Sequence, residues 1–312
     1  MGIWAAVLLF LLGLVLIVKG GDWFLDGAVW LAEATGMPRF LIGATVVSLV
    51  TTLPELTVSV TGVLEGAVDL AVSNAAGSVT ANLGLILGLS ALCLPVAVRR
   101  EQFDCKAVLM AGSALLLFLL CRNGRLTLGP AVLLGAAFLL YLWSSAAGLR
   151  GERSPRPGRT PGQAAGKLLA FGAGISAILA GSRLLIDHGC ALAEYLGVPA
   201  GVIGATMVAV GTSLPELVTT VTALLRREGA LSVGNILGAN VIDLTLILPV
   251  CAAVSGGELP IGRQTTTLDL PFCLALSLLA AVPPLVRGRF YRWQGAALLA
   301  AYGLYTAHLL LG

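Results

Sequence analysis

Glu55, Glu216 and Asp243 are carboxylates set within apolar stretches that leave little room for water. Glu55 closes Val50-Thr51-Thr52-Leu53-Pro54-Glu55, Glu216 closes Gly211-Thr212-Ser213-Leu214-Pro215-Glu216, and Asp243 ends the run that begins at Asn235. A carboxylate at membrane depth costs roughly 2.5–3.5 kcal/mol on insertion scales and is by default a functional group. A second run, Asn74 to Asn82, has Asn82 where the other has Asp243. The neighbours of these groups are hydroxyls and carbonyls. Residues four apart share a helix face, so Thr51 lies beside Glu55, Thr212 beside Glu216 and Ser78 beside Asn82. Proline lacks an N–H and leaves unpaired the carbonyl four residues back. Pro54 is expected to free the carbonyl of Val50, and Pro215 that of Gly211.

All of these ligands are oxygens. Ca²⁺, Na⁺ and Mg²⁺ want such a set, whereas zinc and copper prefer nitrogen or sulfur. The three carboxylates balance one Ca²⁺ or a few Na⁺, but both loads together would leave buried positive charge in excess. Occupancy is then mutually exclusive, as an antiporter requires. Two other classes fit the residues less well. A channel typically builds its filter from symmetric subunits, and an intramembrane enzyme needs a Ser–His or paired-Asp arrangement, which is not visible here. His188 and His308 lie away from the Pro-Glu segments.

The elements that must position these groups are membrane helices. Apolar types make up 57% of the 312 residues and charged types 11%, against about 25% charged in soluble domains. Long stretches such as Gly2–Val18, Leu126–Leu149 and Gly295–Leu311 carry no charge, and about 20 apolar residues cross a bilayer as a helix. A cleaved leader is not expected, because Lys19 follows the first apolar run instead of preceding it. The six cysteines form no CxxC pair and read as small hydrophobes.

The fold expected is an all-α integral membrane protein of ten spans, at about 3–19, 39–62, 70–95, 106–121, 126–148, 166–185, 200–225, 231–255, 269–286 and 293–311. Residues 20–38 are expected to continue the first helix along the surface to a turn at Gly36-Met37-Pro38. This count puts 15 of the 19 Lys and Arg on the side opposite the termini. Positive loops stay in the cytoplasm, so the chain is expected in the cell (inner) membrane with both termini on its extracytoplasmic side.

A shift of the chain against itself by 161 residues exposes a repeat. Gly20, Asp26, Glu33, Gly36 and Pro38 meet Gly181, Asp187, Glu194, Gly197 and Pro199. Over 43–56 against 204–217, 9 of 14 positions are identical, and Asn74 and Gly77 meet Asn235 and Gly238. Five spans per copy is an odd number, so the second copy enters the membrane inverted, as in many secondary transporters. The division expected is a first repeat over 1–148, a cytoplasmic linker over 149–167 and a second repeat over 168–312. Asp26, Asp187, Glu33 and Glu194 read as interfacial, structural groups. Thr57, Ser59, Thr61, Thr219, Thr220 and Thr222 read as helix-bonded hydroxyls, and Gly77, Gly84, Gly88 and Gly238 as close-packing positions.

The duplicated Pro-Glu segments resemble the cation/Ca²⁺ exchanger superfamily, in particular its prokaryotic Na⁺/Ca²⁺ exchanger branch, whose signature is the Gly211–Glu216 sequence. The resemblance implies Ca²⁺ and Na⁺ as transported substrates, no resident cofactor, alternating access, and a lipid bilayer as the only partner, with no nucleic acid and no obligate protein. It implies that Glu55, Asn82, Glu216 and Asp243 form a central diamond of ligands. Thr51, Thr52, Ser78, Thr212 and Ser213, with carbonyls near Ser48 and Ala209, would complete flanking Na⁺ sites, and the charged first helix of each half would slide to switch access. The proton-coupled branch carries a Gly-Asn-Ala-Glu type motif that is absent here. Two departures bear on coupling: Val50-Thr51-Thr52 replaces the usual Gly-Thr-Ser, and Ala239 replaces a hydroxyl of one flanking Na⁺ site. Coupling to H⁺ or K⁺, or exchange of another divalent ion, is the alternative.

Overall fold

The computed structural model describes residues 3–148, 161–197 and 213–311. Their framework is helical: α1 Ile3–Thr35, α2 Arg39–Leu64, α3 Ala71–Cys93, α4 Arg100–Leu120, α5 Leu128–Gly148, α6 Pro161–Tyr195, α7 Leu214–Leu225, α8 Gly229–Val254, α9 Thr265–Arg287 and α10 Arg292–Leu311. Eight of them are long and apolar enough to cross a membrane. The other two are α10 and α7; residues 198–212 ahead of α7 lie outside the described set.

Burial separates a centre from a periphery. In the most apolar window of each helix, 78% of α8 and 72% of α3 are buried, against 22% of α1 and α5. A helix apolar all round either sits in a protein core or faces lipid. Here α3 and α8 take the first role and α1 and α5 the second. One hydrophobic cluster joins α3 and α8 to α4, α5 and α9. A short antiparallel pair, β1 Arg125–Thr127 with β2 Glu258–Pro260, buries Leu126 against Leu259 and ties the ends of α4 and α8.

Helices α1 and α6 lie along each other, and glycine makes this possible. Gly13, Gly20 and Gly27 recur every seventh residue, so they fall on one face. A Cβ on Gly13 would stand 3.0 Å from the Gly181 carbonyl oxygen, and one on Gly20 would stand 2.9 Å from that of Gly174. Small residues let membrane helices approach in this way. Gly13–Gly181 becomes Gly174–Gly20 under the 161-residue shift, so the two contacts exchange. Near Gly27, Phe24 stacks on Phe171 with ring centroids 4.7 Å apart.

Several boundaries differ from the sequence expectation. Residues 20–35 do not leave the first helix to run along a surface; α1 is one 33-residue helix packed on α6, and it stops where Gly36 takes a φ of 71°. Its continuation hides few charges because Asp22, Asp26 and Glu33 stay on its rim. Helix α6 begins at Pro161, inside the segment expected to be a linker, and α4 begins at Arg100 rather than 106. Gly84, Gly88 and Gly238 are closely packed as expected, but nothing lies within 4 Å of a Cβ placed on Gly77.

Candidate ion-binding site

Each Pro-Glu segment breaks a helix. Helix α2 is interrupted at Thr52, with φ −83° and ψ −4°, and restarts as Leu53–Leu64. Ser213, with φ −87° and ψ 6°, takes the same place before α7. Proline suits a first helical turn, where its missing N–H has no partner to lose. The break therefore puts Glu55 and Glu216 in the first turn of a half-helix, whose N–H groups and dipole favour negative charge. The carbonyl of Val50 is not left bare as expected: it accepts a backbone N–H at the break. Gly211 lies outside the described residues.

The other pair sits at wide turns. Asn82 opens a π-helical turn over Asn82–Leu87 in α3, and Asp243 opens one over Asp243–Ile247 in α8. Such insertions recur at functional sites. Matched positions of the two repeats thus share a backbone irregularity that no residue type in either run announces.

These four side chains are each 1% exposed. Glu55 lies within electrostatic reach of Glu216 and Asp243, and Thr51 and Thr52 face Glu216 from the other half. Both oxygens of Glu55, both of Asp243, one of Glu216, the Asn82 carbonyl and the hydroxyls of Thr52 and Ser213 are buried without a hydrogen-bond partner. A buried, unpaired polar group costs about 1–3 kcal/mol and a charged one more. A set of orphaned acceptors around three carboxylates is the shell that a hard cation satisfies, since Ca²⁺ takes about 6–8 oxygens. Among the described residues no three acidic, histidine or cysteine side chains gather closely enough to hold a metal by themselves. The neutral oxygens between the carboxylates are therefore needed.

Of the remaining expected ligands, Ser48, Thr51 and Ser78 are also buried. Thr51 Oγ1 donates at 3.3 Å to the Ser48 carbonyl and at 3.3 Å to Asn235 Oδ1. Thr212 and Ala209 lie outside the described residues.

Three asparagines enlarge the set. Asn235 Nδ2 donates to Thr219 Oγ1 at 3.0 Å, Asn74 Nδ2 to Ser59 Oγ at 2.9 Å, and Asn82 Nδ2 to Asn240 Oδ1 at 3.2 Å. The last bond turns the Asn82 oxygen away from Asn240 and leaves it unpaired. Asn74 and Asn235 were visible as a repeat match. Asn240 was not, because its mate is Val79. Thr219 and Ser59 thus do more than bond their own helices, although Thr219 also donates to the Glu216 carbonyl at 3.1 Å.

Two further ionisable groups, Lys106 and Asp269, are buried. Lys106 Nζ donates to Ser144 Oγ at 3.1 Å and lies 5.9 Å from the Tyr141 ring centre, and Asp269 accepts from the Tyr305 hydroxyl at 2.9 Å. Both are the first residues of their expected spans, 106–121 and 269–286, and the helices begin several residues earlier, at Arg100 and Thr265.

The fold and the oxygen-lined site define a multi-pass membrane protein that handles hard cations. The family model "Sodium/calcium exchanger protein" matches residues 5–146 and 166–311, and the chain belongs to that family. The sodium/calcium exchanger MaX1 of Methanosarcina acetivorans is 30% identical, with 95% of each chain covered. The inner membrane protein YrbG of Escherichia coli strain K12 is 34% identical over 81% of each. The sodium–calcium exchanger NCX_Mj, solved in 10 mM Na⁺ and zero Ca²⁺, superposes with a TM-score of 0.87 at 29% identity over 98% of this chain and 99% of that one.

Proposed function

We propose that this protein is a secondary antiporter that exchanges Ca²⁺ for Na⁺ by alternating access. The observation that carries it is the ring of buried, unpartnered oxygens around Glu55, Glu216 and Asp243. Family membership and the names of its relatives support the choice of ions.

Glu55, Asn82, Glu216 and Asp243 hold Ca²⁺ at the centre in this reading. Thr51, Thr52, Ser78, Thr212 and Ser213, with the carbonyls near Ser48 and Ala209, serve flanking Na⁺. Two positive charges from Ca²⁺, or a few from Na⁺, offset three carboxylates; the two loads together do not fit, and that exclusion couples the flows. Residues 1–148 and 168–312 act as inverted five-span repeats joined by 149–167, with both termini outside the cytoplasmic membrane. The exchanging glycine contacts between α1 and α6 support the inversion, and the excess of Lys and Arg on one side supports the orientation.

Ala239 favours one second reading: a flanking Na⁺ site lacks a hydroxyl, and H⁺ or K⁺ serves as the counter-ion. Uptake of labelled Ca²⁺ into proteoliposomes carrying Na⁺, K⁺ or pH gradients separates the two. Uptake that requires internal Na⁺ supports Na⁺ coupling, and uptake driven only by K⁺ or protons supports the second reading.

A further inference from the structure

The C-terminal end of α7 is tied by charge to the C-terminal half of α1. Arg226, the residue that caps the C-terminus of α7, donates to Asp22 at 2.6 Å and also to Asp26, both on α1. Helix α7 carries Glu216 in its first turn, so this ion-pair cluster joins the outer helix α1 to the half-helix that carries a ligand.

The repeat supplies a counterpart with the charges exchanged. Under the 161-residue shift, Arg226 falls on Glu65, Asp22 on Arg183 and Asp26 on Asp187. The match is structural too: Glu65 caps the 12-residue piece Leu53–Leu64 as Arg226 caps the 12-residue α7. Each set holds one arginine and two carboxylates. In one the arginine is on the half-helix; in the other it is on the long helix.

Only one set is joined. Arg183, Asp187 and Glu65 make no ion pair or hydrogen bond through their side chains among the described residues. The packing agrees. Helices α1 and α6 both pack on α7, and a Cβ on Gly21 would stand 2.7 Å from Thr222 Oγ1, whereas neither helix packs comparably on Leu53–Leu64.

We infer that these are reciprocal latches: Arg226 with Asp22 and Asp26 holds the conformer described here, and Glu65 with Arg183 closes in its place when access switches. The inference rests on the alternating-access reading. Two conformers related by exchange of the repeats must exchange their contacts, and the Asp22–Arg226 contact then becomes Arg183–Glu65, again of opposite sign. An unmatched Arg39, bonded to Glu33 and Glu228, adds charge contacts to the closed set alone. Its repeat position is Ala200, so this contact has no charged counterpart in the other set.

The test is a charge cycle read from both faces in vesicles of known orientation, after exchange by the parent protein has been measured, so that a failure of the transport reading appears before any variant is made. Exposed pairs are worth about 0.2–1 kcal/mol, or roughly 1.4- to fivefold in an equilibrium. Glu65→Gln or Arg183→Gln should raise the half-saturation concentration by about that factor on the face bearing Arg226 and lower it on the other. Arg226→Gln should do the reverse. Glu65→Arg combined with Arg183→Glu should restore the parent values, with folding of each variant checked by thermal melting. Equal shifts on both faces, shifts of one sign for both latches, or additive effects without rescue by the swap would overturn the inference. If the swapped protein fails to fold, the opposed signs of Arg183→Gln and Arg226→Gln decide the matter.

Discussion

The two repeats share a sequence pattern but not a surface. Asn74 and Gly77 in α3 are partly exposed, and nothing lies near a Cβ placed on Gly77. Their mates in α8 are sealed: Asn235 is fully buried, and a Cβ on Gly238 would come within 2.4 Å of Ser48 Oγ and 2.6 Å of the Ala44 carbonyl oxygen. The runs that hold Asn82 and Asp243 therefore line an open face in one half and a closed face in the other. The proposed inverted-repeat arrangement requires such an inequality, because equal halves would expose the site to both sides or to neither.

The largest expected effect comes from the carboxylates that the halves share. Glu55→Gln or Glu216→Gln should abolish Ca²⁺ exchange, with flux falling by more than about 100-fold, since a charge-assisted ligand is lost from a buried site. The protein should still fold, as its helices keep their packing, and melting in detergent checks that. A folded variant with normal flux removes the site assignment.

Next comes the inequality between Asn82 and Asp243. Asn82→Asp adds a fourth carboxylate and removes the amide that donates to Asn240. It should bind Ca²⁺ more tightly and release it more slowly, with turnover reduced by about tenfold, or about 1.4 kcal/mol in the barrier to release. Flux and equilibrium Ca²⁺ binding together check this.

The glycines sharpen the comparison through stability alone. Gly238→Ala should destabilise the fold by about 1–3 kcal/mol, because a methyl group there overpacks a rigid contact with backbone. Gly77→Ala meets open space and should be neutral or stabilising by up to about 1 kcal/mol. Melting temperatures of both give the difference. The smallest effect is expected at Ala239→Ser, which restores a hydroxyl to the second half. It should lower the Na⁺ concentration needed for half-maximal exchange by about two- to fivefold, on the order of 0.5–1 kcal/mol for one neutral contact.

Much of this was legible in the sequence because the governing constraints are severe. Buried carboxylates are so costly in lipid that Glu55, Glu216 and Asp243 identify themselves, and the Thr-X-Leu-Pro-Glu breaks follow from what proline does to a helix. Hidden features depended on packing. The π turns at Asn82 and Asp243 follow no residue type in either run, Asn240 has no polar mate in the first repeat, and Lys106 and Asp269 sit at the edges of the expected spans. The openness of Gly77 against the closure of Gly238 is a property of one conformer, and a repeat pattern encodes both conformers alike.

The most direct test of the central claim is uptake of radiolabelled Ca²⁺ by proteoliposomes loaded with Na⁺ and diluted into Na⁺-free buffer, run beside K⁺-loaded controls and the Glu216→Gln variant. The account expects uptake that requires internal Na⁺ and vanishes in the variant. Uptake independent of Na⁺, or undiminished in folded Glu216→Gln protein, would contradict it.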